Sequence, residues 1–360
     1  MIKRGIIFVL LVAILVLRFY FNFAKEKPYK DGDKVKIVSK ITSEPIRYQN
    51  SQYLKIKGLK IYLPLYPEIN YGDKVILEGI VERDRLKNAR LIEVKENVGF
   101  LYKFREKLID FYFSSLPEPN SALVAGVTLG SKTNIPNDFW ESLKNTGTAH
   151  VVVASGMNVT LIAGFLIGVL VLLLPRRKAI LLALAGIWIY AFIAGFDAPI
   201  IRASIMGSLA FIAQEVGRLN ISIRTLFTTG FIMLFLKPEW INDLGFLLSF
   251  FATLSLIVLE SKVYKLIHFI PENLKVIKKD FSTSLSASFG VFPILFFGFR
   301  QFNLLSPLIN TGILWTIVPI TIIGGLGGLI GMIYEPLGKL ILWLIYPLTL
   351  WFVGLVQFFG

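Results

Sequence analysis

The chain has 360 residues, of which 54% are hydrophobic and 17% are charged, and its net charge is +14. Soluble domains carry about a quarter charged residues, so this composition argues against an ordinary soluble enzyme and favours an integral membrane protein with a polar insert. The absence of cysteine and the presence of only two histidines exclude disulfides, thiolate metal sites and a histidine-rich zinc centre, and we predict neither a metal site nor a cofactor.

Residues 1–24 are predicted to form an N-terminal transmembrane anchor. Residues 1–4 include two basic residues, and residues 5–23 form an apolar run interrupted only by Arg18 and Asn22. This run is longer than the apolar region of a signal peptide, which spans about 7–15 residues, and it ends in aromatic residues rather than a cleavage site. The positive-inside rule then places the N-terminus in the cytoplasm.

Residues 25–98 are predicted to form a small β-domain on the extracytoplasmic side. Polar and apolar residues alternate in short stretches, separated by turn residues such as Glu44-Pro45 and Lys87-Asn88. About five strands in roughly 70 residues suit an OB-like barrel.

Residues 99–146 are predicted to form amphipathic or interfacial helices. Over 99–115, apolar residues recur at helical spacing between charged ones. Such a helix either lies at the membrane surface or packs on the β-domain, and the pattern leaves both alternatives open.

Residues 147–360 are predicted to form a polytopic transmembrane domain, so the fold class is a polytopic α-helical membrane protein with an OB-like β-barrel insert. The segment 303–333 is long and contains Pro307 and Pro319, which makes a broken or re-entrant helix an alternative there. Its run GGLGGLIG predicts close helix contacts. The apolar runs place spans near 150–174, 179–196, 200–217, 223–236, 242–260, 281–299, 303–333 and 336–358.

Basic residues in the predicted loops support this topology. Arg176, Arg177 and Lys178 follow the first span of the domain, Arg218 lies in a later loop on the same side, and five lysines lie within 261–280. The positive-inside rule makes these loops cytoplasmic and accounts for much of the positive charge.

Polar residues near the extracytoplasmic ends of the spans are candidate functional residues, because polar groups are expensive inside a bilayer. His150 and Asn158 are eight residues apart, so on one continuous helix they share a face, with Ser155 and Gly156 beside it. This stripe either lines an aqueous path or bonds neighbouring helices.

Asp197 and Arg202 form a second candidate group, in which they could pair. The planar guanidinium of Arg202 matches phosphate oxygens, and the structural alternative is a buried ion pair that fixes the helix turn. Asp243 is predicted to cap the span that contains Ser249. Asn310 belongs to a polar patch that either lines a pore or closes a broken helix.

Enzyme chemistry is not predicted. On a helix, the five-residue separation of His150 and Ser155 turns their side chains about 140° apart. A nucleophile needs its base within about 3 Å, so a catalytic dyad of these two residues is not expected.

Four segments follow one another in a specific order: GTAHVVVASGMNV at 147–159, PIIRASIM at 199–206, GFLLSF at 245–250 and NLLSPLIN at 303–310. Together with the anchor and the OB-like domain, they make the chain resemble the ComEC competence protein family over nearly its whole length. The motif residues that the resemblance identifies are His150, Ser155, Gly156, Arg202, Ser249 and Asn310.

The resemblance implies a channel in the bacterial inner membrane that passes single-stranded DNA into the cytoplasm during natural transformation. It implies DNA-receptor and motor proteins as partners, besides single-stranded DNA and the lipid bilayer, and leaves the oligomeric state open. The DNA-contact candidates in the β-domain would bind phosphates and stack on bases, with a solvated face as the alternative; they are Tyr53, Lys55, Lys57, Lys60 and Tyr62.

Two features depart from the family pattern. Asn158 stands where the family usually has a second histidine, so a titratable role is not expected there. Many members also carry a C-terminal metallo-β-lactamase-like domain, which this sequence lacks, so nuclease activity is expected from another protein. A secondary transporter or channel for another solute is the alternative function.

Overall fold

A computed structural model of the protein describes residues 2–24, 29–47, 50–97, 99–132, 134–153, 155–217, 221–268, 270–299 and 303–360. The predicted loop residue Arg218 and the motif residue Ala154 lie outside these ranges. Helix α1 (Ile2–Phe23) corresponds to the predicted anchor. It is followed by six strands: β1 (Lys34–Lys40), β2 (Ile46–Arg47), β3 (Ser51–Ile56), β4 (Leu59–Pro64), β5 (Lys74–Glu82) and β6 (Arg85–Lys95).

The six strands form one mixed sheet in the order β1-β5-β6-β4-β3-β2, in which only β4 and β6 pair in parallel. Alternate residues such as Ile61, Val75 and Leu77 are fully buried and form the domain's own core. The predicted barrel is not closed, because β1 and β2, although consecutive in the chain, end the sheet on opposite sides. Between them Pro45 has no N–H for a ladder, and the side chain of Glu44 bonds to the helical region instead.

The remainder of the described chain is helical. The helices are α2 (Phe100–Ser115), α3 (Asn120–Leu129), α4 (Asn137–Asn145), α5 (Ala149–Val152), α6 (Gly156–Leu173), α7 (Arg176–Ile193), α8 (Ala198–Glu215), α9 (Ser222–Leu236), α10 (Leu244–Leu266), α11 (Lys275–Phe299), α12 (Ser306–Gly331) and α13 (Glu335–Phe359). Helices α6 to α13 correspond in order to the eight predicted spans.

Several of these helices are long enough to cross a bilayer, which supports the prediction of a multi-pass membrane protein. Within the described residues, four single helices have the required length and hydropathy: Leu244–Leu266, Lys275–Gly298, Ser306–Gly331 and Glu335–Phe359. The stretch Ala149–Leu173, which takes in α5 and α6, has them as well. Helix α12 continues through Pro319 without a break. The alternative of a broken or re-entrant helix at 303–333 is therefore wrong.

Helix α3 occupies the centre of one helical core. All ten of its residues are buried, and its Leu123 and Val124 lie in a cluster with Ile317 of α12 and Leu342 of α13. With 10 residues, this helix is too short to span a bilayer by itself.

Helix α2 joins this core to the β-domain. Its Phe111 and Tyr112 pack on α12, where Gly331 and Gly328 leave no room for a Cβ. A Cβ on Gly338 of α13 would overlap the backbone of Gly331. The glycine-rich run therefore provides close helix contacts, as predicted.

A second group of helices, α6 to α11, has smaller cores of its own. Val159, Ile187 and Ile200 join α6, α7 and α8, and Met233 packs with Phe246 between α9 and α10. This second group contains most of the candidate functional residues, at the ends of helices that face the β-domain.

Candidate functional site

The starts of α6, α8 and α10 meet at one end of the helical bundle. An ideal Cβ on Gly156 would lie 2.8 Å from Nη2 of Arg202, and one on Gly245 would lie 3.4 Å from Cδ of Pro199. Gly156 thus permits a close approach of the Arg202 side chain, whereas Gly245 meets Pro199 at an ordinary van der Waals distance. Three of the four motif segments found in the sequence are brought together here.

Arg202 lies at the centre of this meeting point and is only 8% exposed. Its Nη1 donates a hydrogen bond of 2.6 Å to the backbone carbonyl of Ser249, while its Nε has no partner. Among the described residues, no carboxylate forms an ion pair with Arg202. A buried cation without a counter-charge is costly, so this guanidinium is poised to bind an anion.

Asp197 does not pair with Arg202, contrary to the sequence prediction. Asp197 precedes α8 as its N-cap residue with an extended backbone, whereas Arg202 lies within the helix, so helical spacing does not bring the two side chains together. Asp197 instead accepts a hydrogen bond of 2.8 Å from Nζ of Lys132, in the loop after α3. Burial lowers the pKa of Lys132, but attraction to Asp197, Glu44 and Asp243 outweighs burial and raises the pKa overall.

A buried ion pair connects this end of the bundle to the β-domain. Glu44, between β1 and β2, pairs with Arg105 of α2 at 3.0 Å, and the two side chains are only 6% and 7% exposed. Glu44 also accepts hydrogen bonds from Oγ of Ser131 at 3.0 Å and from the backbone N–H of Lys132 at 2.9 Å. One carboxylate thus joins the β-domain, α2 and the loop that holds Lys132.

A short break separates His150 from Ser155. Val153 and Ser155 have extended backbones, so α5 ends before α6 begins. The predicted continuous helical stripe of His150 and Asn158 is therefore wrong. Nδ1 of His150 lies 2.9 Å from the carbonyl of Gly147, and Ser155 lies at the N-cap of α6.

The segment around His150 adjoins the fourth motif. Gly147 has a left-handed backbone with φ of 71°, and an ideal Cβ there would lie 2.7 Å from Oγ of Ser306. Asn310, one turn further along α12, donates from Nδ2 to that same Oγ at 3.2 Å. Its Oδ1 is buried without a partner.

Asn158 points into the bundle. It is fully buried, and its Nδ2 donates a hydrogen bond of 2.7 Å to the carbonyl of Val127 in α3. Tyr190 of α7 lies beside it, and the side chains of these two residues interact. Asn158 therefore joins α6 to α3, as expected of a structural contact.

Comparison with known proteins agrees with these motifs. The Competence protein family model matches residues 127–360, which is more than half of the chain. The chain belongs to the Competence protein family. The matched region begins within α3 and includes Asn158, Arg202 and every other candidate residue of the helical bundle.

Two relatives resemble this competence protein over 60% of its length. ComE operon protein 3 of Bacillus subtilis (strain 168) is 27% identical over 220 residues, which are 27% of that protein. An uncharacterized protein of Aquifex aeolicus (strain VF5) is 33% identical over 229 residues, or 53% of its length. The chain thus spans about a quarter of the length of the first relative and about half the length of the second. No solved structure matches the chain.

The β-domain candidates of the competence protein lie apart from the bundle site. Tyr53 of β3 is opposite Tyr62 of β4, with ring centroids 5.2 Å apart, and Lys55 is opposite Lys60. These four residues share the outer face of the hairpin, whereas Lys57 lies in its turn. Lys60 also bonds Asp84 at 2.7 Å, and this bond raises the pKa of Lys60.

A cleft of about 250 Å³ separates the β-domain from α2. Burial, followed by repulsion from Asp110, raises the pKa of Glu106 on this wall, and burial likewise raises that of Asp110. Nδ2 of Asn70 donates to Glu106 across the cleft at 2.8 Å. Among the described residues of the competence protein, no group of three or more histidine, aspartate or glutamate side chains is placed to hold a metal ion.

Sequence reasoning missed the residues that connect the two parts. The candidates did not include Glu44, Arg105 and Lys132, because the partners of these residues lie 61 to 88 positions away in sequence. One signal was available for Lys132, which is a single charge following the uncharged stretch 120–131.

Proposed function

We propose that this competence protein forms, or contributes to, a channel that passes single-stranded DNA into the cytoplasm during natural transformation. Family membership and the multi-pass helical bundle support a role in the membrane step of DNA uptake. The proposed role is conduction rather than catalysis.

The observation that carries this proposal is the buried Arg202. A strand with one negative charge per nucleotide cannot cross hydrocarbon, and it needs a hydrated and positively biased passage. The guanidinium of Arg202 uses one N–H for Ser249 and retains Nε for another acceptor. Its planar fork suits a phosphodiester, and backbone contact of this kind tolerates any base sequence.

The hairpin of β3 and β4 is the proposed first contact for the strand. The pair of Tyr53 and Tyr62 offers aromatic faces for stacking, and Lys55 adds a positive charge beside them. Lys60 contributes less, because Asp84 already pairs with it. Stacking and phosphate attraction together would hold single strands without sequence preference.

The proposed orientation follows from the loop charges. The N-terminus and the basic loops around Arg176 and 261–280 lie in the cytoplasm, and the β-domain lies outside the inner membrane. Energy coupling and a DNA receptor come from other competence proteins. An oligomeric channel is compatible with this arrangement.

Replacement of Arg202 tests the bundle site. We expect Arg202→Ala to abolish transformation while the protein stays in the membrane at its normal amount, and Arg202→Lys to retain part of the activity. Arg177→Ala is the matched control, because Arg177 is exposed and pairs with Glu215 outside the site. Normal transformation by Arg202→Ala would show that Arg202 is only structural.

Binding by the full chain in detergent tests the hairpin. We expect affinity for a short single-stranded oligonucleotide to fall in Tyr53→Ala/Tyr62→Ala and to decrease steeply with salt in the unmodified protein. Tyr66→Ala serves as the control, since Tyr66 is 71% exposed and lies outside the pair. Absence of binding at low salt would remove the β-domain from the proposal.

A further inference from the structure

A second site lies at the end of the bundle opposite the β-domain. Helix α10 begins beside Pro199 near the Arg202 site and continues for 23 residues, or about 35 Å, before it meets the start of α11. A cleft of about 490 Å³ lies at this distant junction. Its lining consists of Glu260, Ser261, Tyr264, Lys265, Lys275 and Lys279.

The cleft is positively charged. Three lysines face one acid, and the carboxylate of Glu260 is already occupied by a hydrogen bond of 3.2 Å from Oγ1 of Thr283. Lys279 interacts with Asp280, whereas no ion pair of Lys265 or Lys275 is found within the part of the chain that the structure describes. The cleft therefore has positive charge available for an anionic ligand.

Tyr264 and Ser261 give the cleft a polar wall of fixed shape. Lys278 is 5% exposed, and its Nζ lies 4.6 Å from the ring centroid of Tyr264. This cation–π contact covers one face of the ring and holds α11 against α10. The Tyr264 and Ser261 hydroxyls supply donors that suit phosphate oxygens.

Exposed apolar side chains flank the lysines. Leu266 is 73% exposed, Val276 is 69% exposed and Ile277 is 48% exposed. They lie on two helices that are long and apolar enough to cross a membrane. A nucleic acid would leave these side chains in water, whereas a phospholipid would cover them with its acyl chains while its phosphate meets the lysines.

We propose that this cleft binds the headgroup of an anionic phospholipid, with the acyl chains along Leu266 and Ile277. The site is independent of DNA conduction, because its residues lie at the other end of the bundle from Arg202. Basic pockets between transmembrane helices attract such headgroups.

The test measures lipid retained by the full chain after purification from nanodiscs that contain equal parts of phosphatidylcholine and phosphatidylglycerol. Native mass spectrometry counts the retained lipids. We expect Lys265→Gln/Lys275→Gln/Lys279→Gln to lower the apparent affinity for phosphatidylglycerol roughly tenfold or more. The matched control Arg176→Gln/Lys178→Gln/Lys262→Gln removes three exposed charges outside the cleft and should keep the affinity.

A third variant distinguishes the loss of positive charge from misfolding. Lys265→Arg/Lys275→Arg/Lys279→Arg keeps the charge and should retain phosphatidylglycerol, with the same helical content as the unmodified protein. Equal loss in the arginine and glutamine variants, equal loss in the control, or equal retention of phosphatidylcholine would each overturn the proposal. The proposal would also be overturned, in favour of a nucleic-acid site, if the three lysines were needed to bind a short single-stranded oligonucleotide but were not needed to retain lipid.

Discussion

Substitution of Glu44 by glutamine removes the negative charge from the buried contact between the β-domain and the helical bundle. The side chain loses little volume and keeps one oxygen that can accept from Ser131 or from the N–H of Lys132. The main change therefore concerns Arg105, whose guanidinium lies 3.0 Å from the carboxylate and is buried.

The expected magnitude follows from this burial. Breaking a buried ion pair by neutralising one partner costs about 3–5 kcal/mol, because the remaining charge is left without compensation. Since glutamine preserves part of the hydrogen bonding, we expect about 3 kcal/mol, which for a chain of 360 residues corresponds to a fall of roughly 4 °C in Tm. Removing both charges in Glu44→Gln/Arg105→Met should recover most of this loss.

Thermal unfolding of the full chain in mild detergent measures these effects. Glu68→Gln is the control, because Glu68 pairs with Arg47 at 3.0 Å but its side chain is 44% exposed, so its loss should cost under about 1 kcal/mol. An equal Tm for Glu44→Gln and the unmodified protein would refute the reasoning. A double variant less stable than Glu44→Gln would refute it as well.

Three further substitutions test other contacts. Glu106→Gln should raise the free energy of unfolding at pH 7 by under about 1 kcal/mol. Because the pKa of Glu106 is raised in the folded protein, the neutral carboxyl favours folding, and this contribution is lost as pH rises through the folded pKa. Thermal scans should therefore show that the difference in Tm between variant and unmodified protein vanishes near pH 4. Gly338→Ala should destabilise by about 1–3 kcal/mol because its Cβ overlaps the backbone of Gly331, whereas Gly354→Ala, with open space around it, should not; equal Tm values would contradict this packing. Gly156→Ala should displace the Arg202 guanidinium and lower transformation at least about tenfold, because the loss of one hydrogen bond of a charged group costs a factor of about ten or more. Unchanged transformation would show that the contact between Gly156 and Arg202 has no functional role.

The sequence was sufficient to predict the order of the helices. Apolar runs are long and continuous in a membrane protein, so the eight predicted spans correspond to α6 through α13. The capping role of Asp243 is confirmed, because its Oδ1 accepts from the N–H of Phe246 at 2.9 Å. Local chemistry of this kind depends on near neighbours only.

Contacts between distant segments could not be predicted in the same way. The pairing of Asp197 with Arg202 rested on proximity in sequence, whereas its true partner, Lys132, is 65 positions away. Asp197 is the extended residue before α8, and Arg202 is part of that helix. No pattern in the sequence indicates the partner of a single loop cation, because the partner is fixed by packing.

The open sheet and the central position of α3 both involve contacts between segments that are distant in the sequence. Glu44 lies outside the strand ladder and pairs with a buried arginine on α2, and α3 is covered by helices that lie some 200 residues later in the chain. Period and composition describe one segment at a time. They predict that these segments are strand or helix and cannot predict which surfaces they cover.

Uptake of labelled DNA by the host bacterium tests the central claim most directly. A strain lacking this chain would receive either the unmodified protein or Arg202→Ala, and DNA protected from external nuclease would be measured beside DNA bound at the surface. We expect protected single strands only with the unmodified protein, while the amount of DNA bound at the surface stays equal. Protected single strands at normal amounts in cells with Arg202→Ala, or in cells without the chain, would contradict it.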